Sequence, residues 1–241
     1  MKGTIDLNHL DLIERLKKEA GETAIEYIES GMVVGLGTGS TTRYALEELG
    51  KRLKTGRLKG VLAVPSSRQT EKLARGFGIE LTTLDDVQEI DITIDGADEV
   101  DPKLNLIKGG GGALLREKVL AQVSRRNIMI VDESKLSPHL GTHWPIPLEI
   151  IPFAWRPVEK FISTLGAKVR LRTKDDGTPY TTDQGNYILD SNFGPISDPH
   201  RLEEKLAYRA GIVESGLFLG TASEVIVAGK TGIRYLKREG M

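Results

Sequence analysis

The amino-acid sequence predicts an α/β protein in which a doubly wound, Rossmann-like parallel sheet is joined to a smaller ferredoxin-like α+β domain. A strand-like run at 32–34 leads through a glycine-rich turn into helical apolar spacing, which is the opening unit of a doubly wound sheet. Five prolines from Pro138 to Pro157 then mark a boundary. Beyond it the patterns follow the order β-α-β-β-α-β, which is typical of a ferredoxin-like unit.

The first part of the chain alternates predicted helices and strands. Apolar residues at helical spacing predict a first helix over 11–29, which only Gly21 interrupts. Apolar runs predict strands at 32–34, 61–64, 79–82, 90–94 and 127–131. Further helices are expected after the turn at 35–42, over 70–76, and from Leu114 to Val123, where the spacing indicates an amphipathic helix.

The second part supplies the ferredoxin-like pattern and then returns to the first sheet. The predicted strands are 146–150, 168–172, 187–191 and 212–219. The predicted helices are 158–165 and 199–210, the latter capped by Asp198. Apolar runs at 225–228 and 233–236 rejoin the first sheet, so we expect a discontinuous Rossmann-like domain, 1–140 with 218–241, and a ferredoxin-like domain, 141–217.

Composition favours a small-molecule partner. The 241 residues include 33 basic and 34 acidic side chains without a long single-sign run, so neither nucleic acid nor an anionic membrane surface is indicated. Cysteine is absent, which excludes thiolate catalysis and disulfides and fits a reducing compartment. No run approaches the roughly 20 apolar residues of a membrane span. We therefore expect a soluble cytoplasmic protein.

Four consecutive glycines, Gly109 to Gly112, stand between Lys108 and a helix-forming run. Such a bare loop lets backbone N–H groups approach a ligand, and the helix start adds unpaired donors that suit an anion. Lys108 adds a cation, and Glu117 a carboxylate that can take a proton from a substrate. Together they predict an oxyanion site with its own base. The alternative is a flexible loop before a helix whose dipole Glu117 merely favours.

The turn at 35–42 invites a dinucleotide interpretation, but Ser40 stands where that fingerprint needs its third glycine. The next strand lacks a carboxylate for the ribose, although Ser67 and Arg68 leave open a site for the 2′-phosphate of NADP. This turn suits a single phosphate, because the helix start offers N–H groups and Thr38, Ser40 and Thr41 offer hydroxyls. In the simpler alternative, Ser40 or a neighbouring threonine caps the helix.

Acidic residues follow the strand at 90–94, namely Asp95, Asp98 and Glu99. At the carboxyl edge of a doubly wound sheet we expect them to point into the ligand crevice. They also resemble a divalent-ion loop, and Asp-Gly turn chemistry is a further alternative. No later cluster completes a metal site, so we expect no metal.

Lys135 follows the strand at 127–131 and stands at the same carboxyl edge. His139 and His143 lie four residues apart, but nearby prolines exclude a helix between them. We expect these histidines to be loop residues.

These motifs together resemble the type A ribose-5-phosphate isomerase family over nearly the whole chain. They are, in order, Gly-Leu-Gly-Thr-Gly-Ser-Thr-Thr, Asp-Gly-Ala-Asp-Glu, Lys-Gly-Gly-Gly-Gly-Ala-Leu-Leu-Arg-Glu-Lys, Val-Asp-Glu-Ser-Lys and Pro-Leu-Glu-Ile-Ile-Pro. The resemblance implies Glu117 as the proton-transfer base. It also implies a set of substrate-binding residues: Lys17, Thr38, Gly39, Ser40, Thr41, Asp95, Gly96, Ala97, Asp98, Lys108, Gly109, Gly110, Gly111 and Lys135. Leu115 departs from members that carry threonine there.

The implied reaction interconverts D-ribose 5-phosphate and D-ribulose 5-phosphate through an enediolate, in the non-oxidative branch of the pentose phosphate pathway. Glu117 would move the proton, and Lys108 with the loop would hold the charged oxygen. Asp95 is the candidate for opening the sugar ring, and Asp98 for holding hydroxyls. The family further implies no cofactor and a homodimer or homotetramer.

Two hypotheses from other classes stay open at this point. A ligand-sensing protein on the same fold would keep the phosphate loop without using Glu117 as a base. An acyl-CoA transferase on a related scaffold would use a glutamate as its nucleophile.

Overall fold

A six-stranded sheet forms the centre of the molecule in the computed structural model, which describes residues 7–238. Its order is β13-β12-β6-β3-β1-β2, and all neighbouring strands are parallel except β12 and β13. The strands are β1 (Val33–Leu36), β2 (Leu62–Pro65), β3 (Ile90–Gly96), β6 (Ser124–Asp132), β12 (Glu224–Gly229) and β13 (Gly232–Lys237). Strand β2 lies on one side of β1, and the next strand of this sheet along the chain, β3, lies on its other side. This reversal opens a crevice at the carboxyl ends of the strands.

Helices cover both faces of this sheet, which explains why its central strands are continuous apolar runs. They are α1 (Leu7–Ala24), which a 3₁₀ turn (Ile25–Tyr27) extends, α2 (Ser40–Lys54), α3 (Arg68–Gly76) and α4 (Leu114–Gln122). Alternate residues of β6 divide the core: Ile130 packs in the cluster with α1 and α2, and Met129 in the cluster with α4. Gly21 allows α1 to approach α2 closely, because a Cβ there would lie 2.8 Å from Ala45 N.

The expectation that α4 is amphipathic is wrong. Glu117 and Lys118 are buried, whereas Val119 is 37% exposed. Charged groups can occupy the inner face because they are paired there: Lys118 Nζ lies 2.7 Å from Glu214 Oε1 and 2.8 Å from Ser215 O. A helix whose inner face carries paired charges cannot be recognised from apolar spacing.

The strand expected at 79–82 is also wrong, since only an isolated bridge joins Leu81 to Ala63. Ala63 donates its N–H to Glu80 O, and Thr82 donates to Ala63 O. The next parallel hydrogen bond would need a donor at position 65. Pro65 has no N–H, so the ladder stops after one residue.

The second sheet has the strand order of a ferredoxin-like fold, as the sequence predicts. It is antiparallel with the order β10-β7-β9-β8. Its elements are β7 (Ile146–Ile150), α5 (Trp155–Thr164), β8 (Lys168–Leu171), β9 (Tyr187–Asn192), α6 (Pro199–Ala207) and β10 (Ile212–Ser215). The Asp198 side chain accepts a hydrogen bond from Arg201 N and so caps α6, which ends three residues earlier than expected.

The single strand expected at 212–219 is instead two strands in two sheets. After β10, β11 (Leu217–Phe218) pairs with β5 (Leu106–Ile107), which pairs with β4 (Glu99–Val100). Gly216 allows the change of sheet, because a Cβ there would lie 2.4 Å from Lys108 O. No local pattern indicated this third sheet, yet it leads the chain directly into Lys108.

The domain boundaries at 140/141 and 217/218 stay a prediction, and β11 spans the second of them. Among residues 7–238, no helix is both long and apolar enough to cross a bilayer.

Candidate active site

A cavity of about 400 Å³ lies at the carboxyl edge of the first sheet, where β1, β3 and β6 end. All of the predicted substrate-binding residues line it except Asp95, and Glu117 lines it as well. Five further residues line the cavity that the sequence did not predict: Ile13, Thr42, Asp132, Ser134 and Trp144. Asp132 and Ser134 directly precede Lys135 at the end of β6, so their position was a usable signal. Trp144 belongs to the segment that crosses to the second sheet, and no local pattern marks it.

Lys108 holds two carboxylates at the floor of this cavity. Its Nζ lies 2.9 Å from Asp95 Oδ2, 3.3 Å from Glu117 Oε2 and 2.5 Å from Gly96 O, and all three side chains are buried. Burial alone would lower the pKa of Lys108, but the charges of Asp95 and Glu117 raise it well above its ordinary value. Lys108 therefore stays a cation.

Glu117 sits in the first turn of α4 and faces the cavity. Burial, and then the charge of Asp95, raises the pKa of Glu117 from 4.5 to about 8, against the opposing effect of Lys108. Its buried Oε2 makes no hydrogen bond to any residue within 7–238. A buried carboxylate with a raised pKa, whose Oε2 is engaged only by the ion pair with Lys108, is well suited to take a proton from carbon.

Asp95 lies behind Lys108 rather than in the crevice, contrary to expectation. β3 continues to Gly96, so the Asp95 side chain is buried inside the sheet edge. Its carboxylate accepts hydrogen bonds from Gly96 N at 2.7 Å and Thr38 N at 3.2 Å, besides the pair with Lys108. Burial raises the pKa of Asp95, and Lys108 opposes that shift. A Cβ on Gly37 would lie 1.9 Å from Asp95 Oδ1, which explains the glycine at that position without a dinucleotide.

The turn between β1 and α2 presents Ser40 and Thr41 to the cavity. The helix is capped by neither hydroxyl: its N-cap residue is Gly39, with φ 141°, and it makes no side-chain cap hydrogen bond. The capping alternative for Ser40 is therefore wrong. Thr38 turns its hydroxyl inward, within 2.8 Å of Ser66 Oγ and of Ser67 Oγ.

Ser67, one of the two residues of the alternative site for an NADP 2′-phosphate, is engaged within the protein. Ser67 is buried, and its Oγ caps α3 by accepting from Thr70 N. Arg68 N donates to Asp183 Oδ2. The backbone and hydroxyl donors of this segment are thus used within the protein.

Two lysines flank the turn and give this end of the cavity a positive charge. Lys17, on α1, forms an ion pair with Glu14 at 2.7 Å. Lys135 Nζ lies 4.9 Å from the centre of the Trp144 ring, in a cation–π contact. Both lysines line the cavity together with the first turn of α2, an arrangement that suits a phosphate.

The carboxylates of Asp95, Asp98 and Glu99 do not converge on one point. Asp95 pairs with Lys108, and Asp98 Oδ2 accepts from Gly110 N at 2.7 Å. Glu99 accepts from Gly141 N and His143 N. Within the described part of the chain, no group of three His, Cys, Asp or Glu side chains is arranged to hold a metal ion.

Comparison with known proteins agrees with this geometry. The family model for ribose 5-phosphate isomerase A (phosphoriboisomerase A) matches residues 62–232. The ribose-5-phosphate isomerase A of Desulfatibacillum aliphaticivorans is 54% identical over 224 residues, covering 93% of this chain and 97% of that protein. The enzyme of the same name from Chloroflexus aurantiacus is 52% identical over 223 residues, covering 92% and 93%.

Solved structures agree over nearly the whole length. A D-ribose-5-phosphate isomerase in complex with phospho-erythronic acid superposes with a TM-score of 0.92 at 42% identity, covering 94% of this chain and 99% of that one. Ribose 5-phosphate isomerase A from Methanocaldococcus jannaschii gives 0.89 at 40% identity, covering 93% and 99%. The chain belongs to the ribose 5-phosphate isomerase A family.

Proposed function

We propose that this chain interconverts D-ribose 5-phosphate and D-ribulose 5-phosphate through an enediolate, in the non-oxidative branch of the pentose phosphate pathway. One observation carries the proposal: the buried carboxylate of Glu117 faces the cavity 3.3 Å from the Lys108 ammonium. A base and a cation at that separation can act on neighbouring atoms of one small substrate. Family membership supports the identity of that substrate.

In the proposed reaction, Glu117 takes the proton from C2 of the open-chain aldose and returns it to C1. The carbonyl oxygen on C1 gains a proton, and the hydroxyl on C2 loses one, so the atoms balance. Between these steps the enediolate oxygen carries negative charge, which Lys108 and the loop N–H groups stabilise. The raised pKa of Glu117 makes its carboxylate a stronger base than an exposed glutamate.

The remaining residues of the cavity bind the substrate in this proposal. Ser40, Thr41 and Lys17 hold the phosphate, and Lys135 assists. Asp98 holds sugar hydroxyls. Asp95 is the candidate for ring opening, and its 2.9 Å contact supports an action through Lys108, which does reach the cavity. No cofactor has a role in these steps.

A homodimer or homotetramer in the cytoplasm completes the proposal. Two aromatic side chains of the ferredoxin-like part, Phe153 and Tyr208, are 95% and 92% exposed. Their segments adjoin, since Ile151 N donates to Gly211 O at 3.0 Å. Exposed aromatic side chains on adjoining segments are typical of a surface that a protein partner covers. We propose that a second copy of this chain covers them.

The oligomer can be tested by the double substitution Phe153→Glu and Tyr208→Ser. We expect the parent protein to sediment as a dimer or tetramer, and the variant to sediment at a lower mass, because a charge would have to be buried. Equal masses for the parent and a folded variant would contradict this location of the interface.

The isomerase activity can be tested on purified protein after treatment with a chelator. We expect ribose 5-phosphate and ribulose 5-phosphate to interconvert at a rate that the chelator does not change. Binding of the sugar phosphate without turnover would instead favour a ligand sensor. Activity that is lost with the chelator and restored by one divalent ion would contradict the proposed absence of a cofactor.

The phosphate site can be tested with two neighbouring lysines of α1. We expect Lys17→Ala to raise KM for ribose 5-phosphate at least about tenfold, as the loss of a charge-assisted hydrogen bond predicts. Lys18 is the matched control, since it is exposed and pairs with Glu22 on the outside of the helix. If KM is unchanged in Lys17→Ala, as it should be in the control Lys18→Ala, Lys17 does not bind the phosphate.

The electrostatic state of Glu117 can be tested by the pH dependence of stability. Its folded pKa, about 8, lies above the unfolded value of 4.5. Between these values the carboxyl is ionised in the unfolded state but protonated in the folded state, so the free energy of unfolding falls as pH rises. We expect Glu117→Gln to gain stability relative to the parent as pH rises between those values, by about 5 kcal/mol at the upper end, and little more above it.

Denaturant unfolding at a series of pH values measures this difference, with Glu29→Gln as the control at an exposed position. A stability difference that is independent of pH would show that the pKa of Glu117 is not raised.

A further inference from the structure

The glycine loop of the active site is held from outside by a residue of the ferredoxin-like part. Arg172 follows β8, and its Nη1 donates to Gly109 O at 3.0 Å and to Gly110 O at 3.1 Å. These two carbonyls belong to consecutive peptide units beside Lys108. One guanidinium nitrogen therefore contacts both units.

Arg172 is itself rigidly placed. Its Nε and Nη2 bind Asp190 Oδ2 and Oδ1 at 3.1 and 2.5 Å, a two-point contact with a neighbouring strand. Its backbone N–H donates to Ile188 O, and its carbonyl accepts from Tyr180 N. The Arg172 side chain is only 15% exposed. The guanidinium is thus oriented before any substrate arrives.

The orientation of the carbonyls determines where the N–H groups point. In a planar trans peptide, the N–H is directed away from the preceding C=O. With Gly109 O on Arg172, the Gly110 N–H points to Asp98 Oδ2, at 2.7 Å. Because Gly110 O is bound to Arg172, the Gly111 N–H points away from Arg172. This N–H has no hydrogen-bond partner among residues 7–238. Gly111 lines the cavity.

Because the loop consists of glycines, contacts with other residues must fix the direction of its N–H groups. Gly110 and Gly111 have no Cβ, so their peptide units can rotate at little steric cost. Both residues are exposed to the cavity, and backbone packing does not enclose them. Gly109 O also accepts a turn hydrogen bond from Gly112 N at 3.0 Å, so the contact that fixes the direction of the Gly111 N–H is the one from Arg172 to Gly110 O.

We infer that Arg172 is a positioning residue for the proposed isomerisation: it directs the Gly111 N–H at the oxygen that becomes charged in the enediolate. This inference rests on the proposed function. The ferredoxin-like part then contributes to catalysis through a side chain that does not touch the substrate. The contribution is larger for the enediolate than for the neutral sugar, because the donor binds a developing charge.

The test compares Arg172→Ala and Arg172→Lys with Arg170→Ala. Arg170 has the same charge and lies two residues earlier, in β8, but its side chain is 82% exposed, and it contacts Asp190 only at 3.9 Å. Three quantities are measured for each variant: kcat and KM for ribose 5-phosphate, the inhibition constant of phospho-erythronic acid, and the melting temperature. The acid places a carboxylate where the sugar has its reacting carbons, so it reports on the oxyanion donors.

We expect Arg172→Ala to lower kcat at least about tenfold, less than the roughly 100- to 1,000-fold of deleting an oxyanion donor outright. KM should change by less than about threefold, because the phosphate site is intact. Phospho-erythronic acid should bind more weakly in proportion to the loss of kcat. Arg172→Lys should lie between the parent and Arg172→Ala, and Arg170→Ala should match the parent.

Arg172→Ala that is folded and keeps the kcat of the parent would overturn the inference and leave the isomerase assignment intact. Equal losses in Arg172→Ala and Arg170→Ala would also overturn it, because the effect would then be one of charge alone. If Arg172→Ala does not fold, Arg172→Lys decides: an unchanged kcat and an unchanged affinity for the acid overturn the inference. A parent protein without isomerase activity would overturn both the proposed function and this inference.

Discussion

The contact of the Lys108 ammonium with the carboxylates of Asp95 and Glu117 is the interaction on which the rest of the site depends. Two carboxylates this deeply buried repel one another and lose their hydration, so a cation between them is required for stability. The same cation still leaves the pKa of Glu117 raised to about 8. Lys108 therefore keeps the cluster folded, while Glu117 remains basic enough to move a proton in the proposed reaction.

Several features of the fold serve this cluster. The short third sheet delivers Lys108 to its place, because β5 ends directly before it and Gly216 allows β11 to pass its carbonyl. Gly37 leaves room for the Asp95 carboxylate under the first turn. The glycine loop after Lys108 is then held from two sides, by Asp98 and by Arg172. Close packing of backbone and charge explains why glycine recurs at these positions.

Much of the site followed from the sequence because topology alone gathers it. Parallel strands end at one edge of the sheet, so Asp98 and Lys135 could be placed together from the order of the strands. The depth of Asp95 could not be predicted, since it depends on β3 continuing to Gly96. Nor could the inward face of α4 be predicted, because a buried Lys118 looks like a surface residue until its partners are known. Arg172 comes from another sheet, and local patterns do not report long-range docking.

Exchange of the substrate C2 hydrogen with solvent shows directly whether Glu117 is the base of the proposed reaction. The measurement follows ribose 5-phosphate in D₂O by proton NMR, with parent protein and with Glu117→Gln, under conditions where both bind the sugar. Glutamine keeps the size of the side chain but cannot accept the proton. We expect exchange to fall by at least the roughly 100- to 10,000-fold typical of losing a general base. Exchange at close to the parental rate would contradict it and would make Asp95 the next candidate.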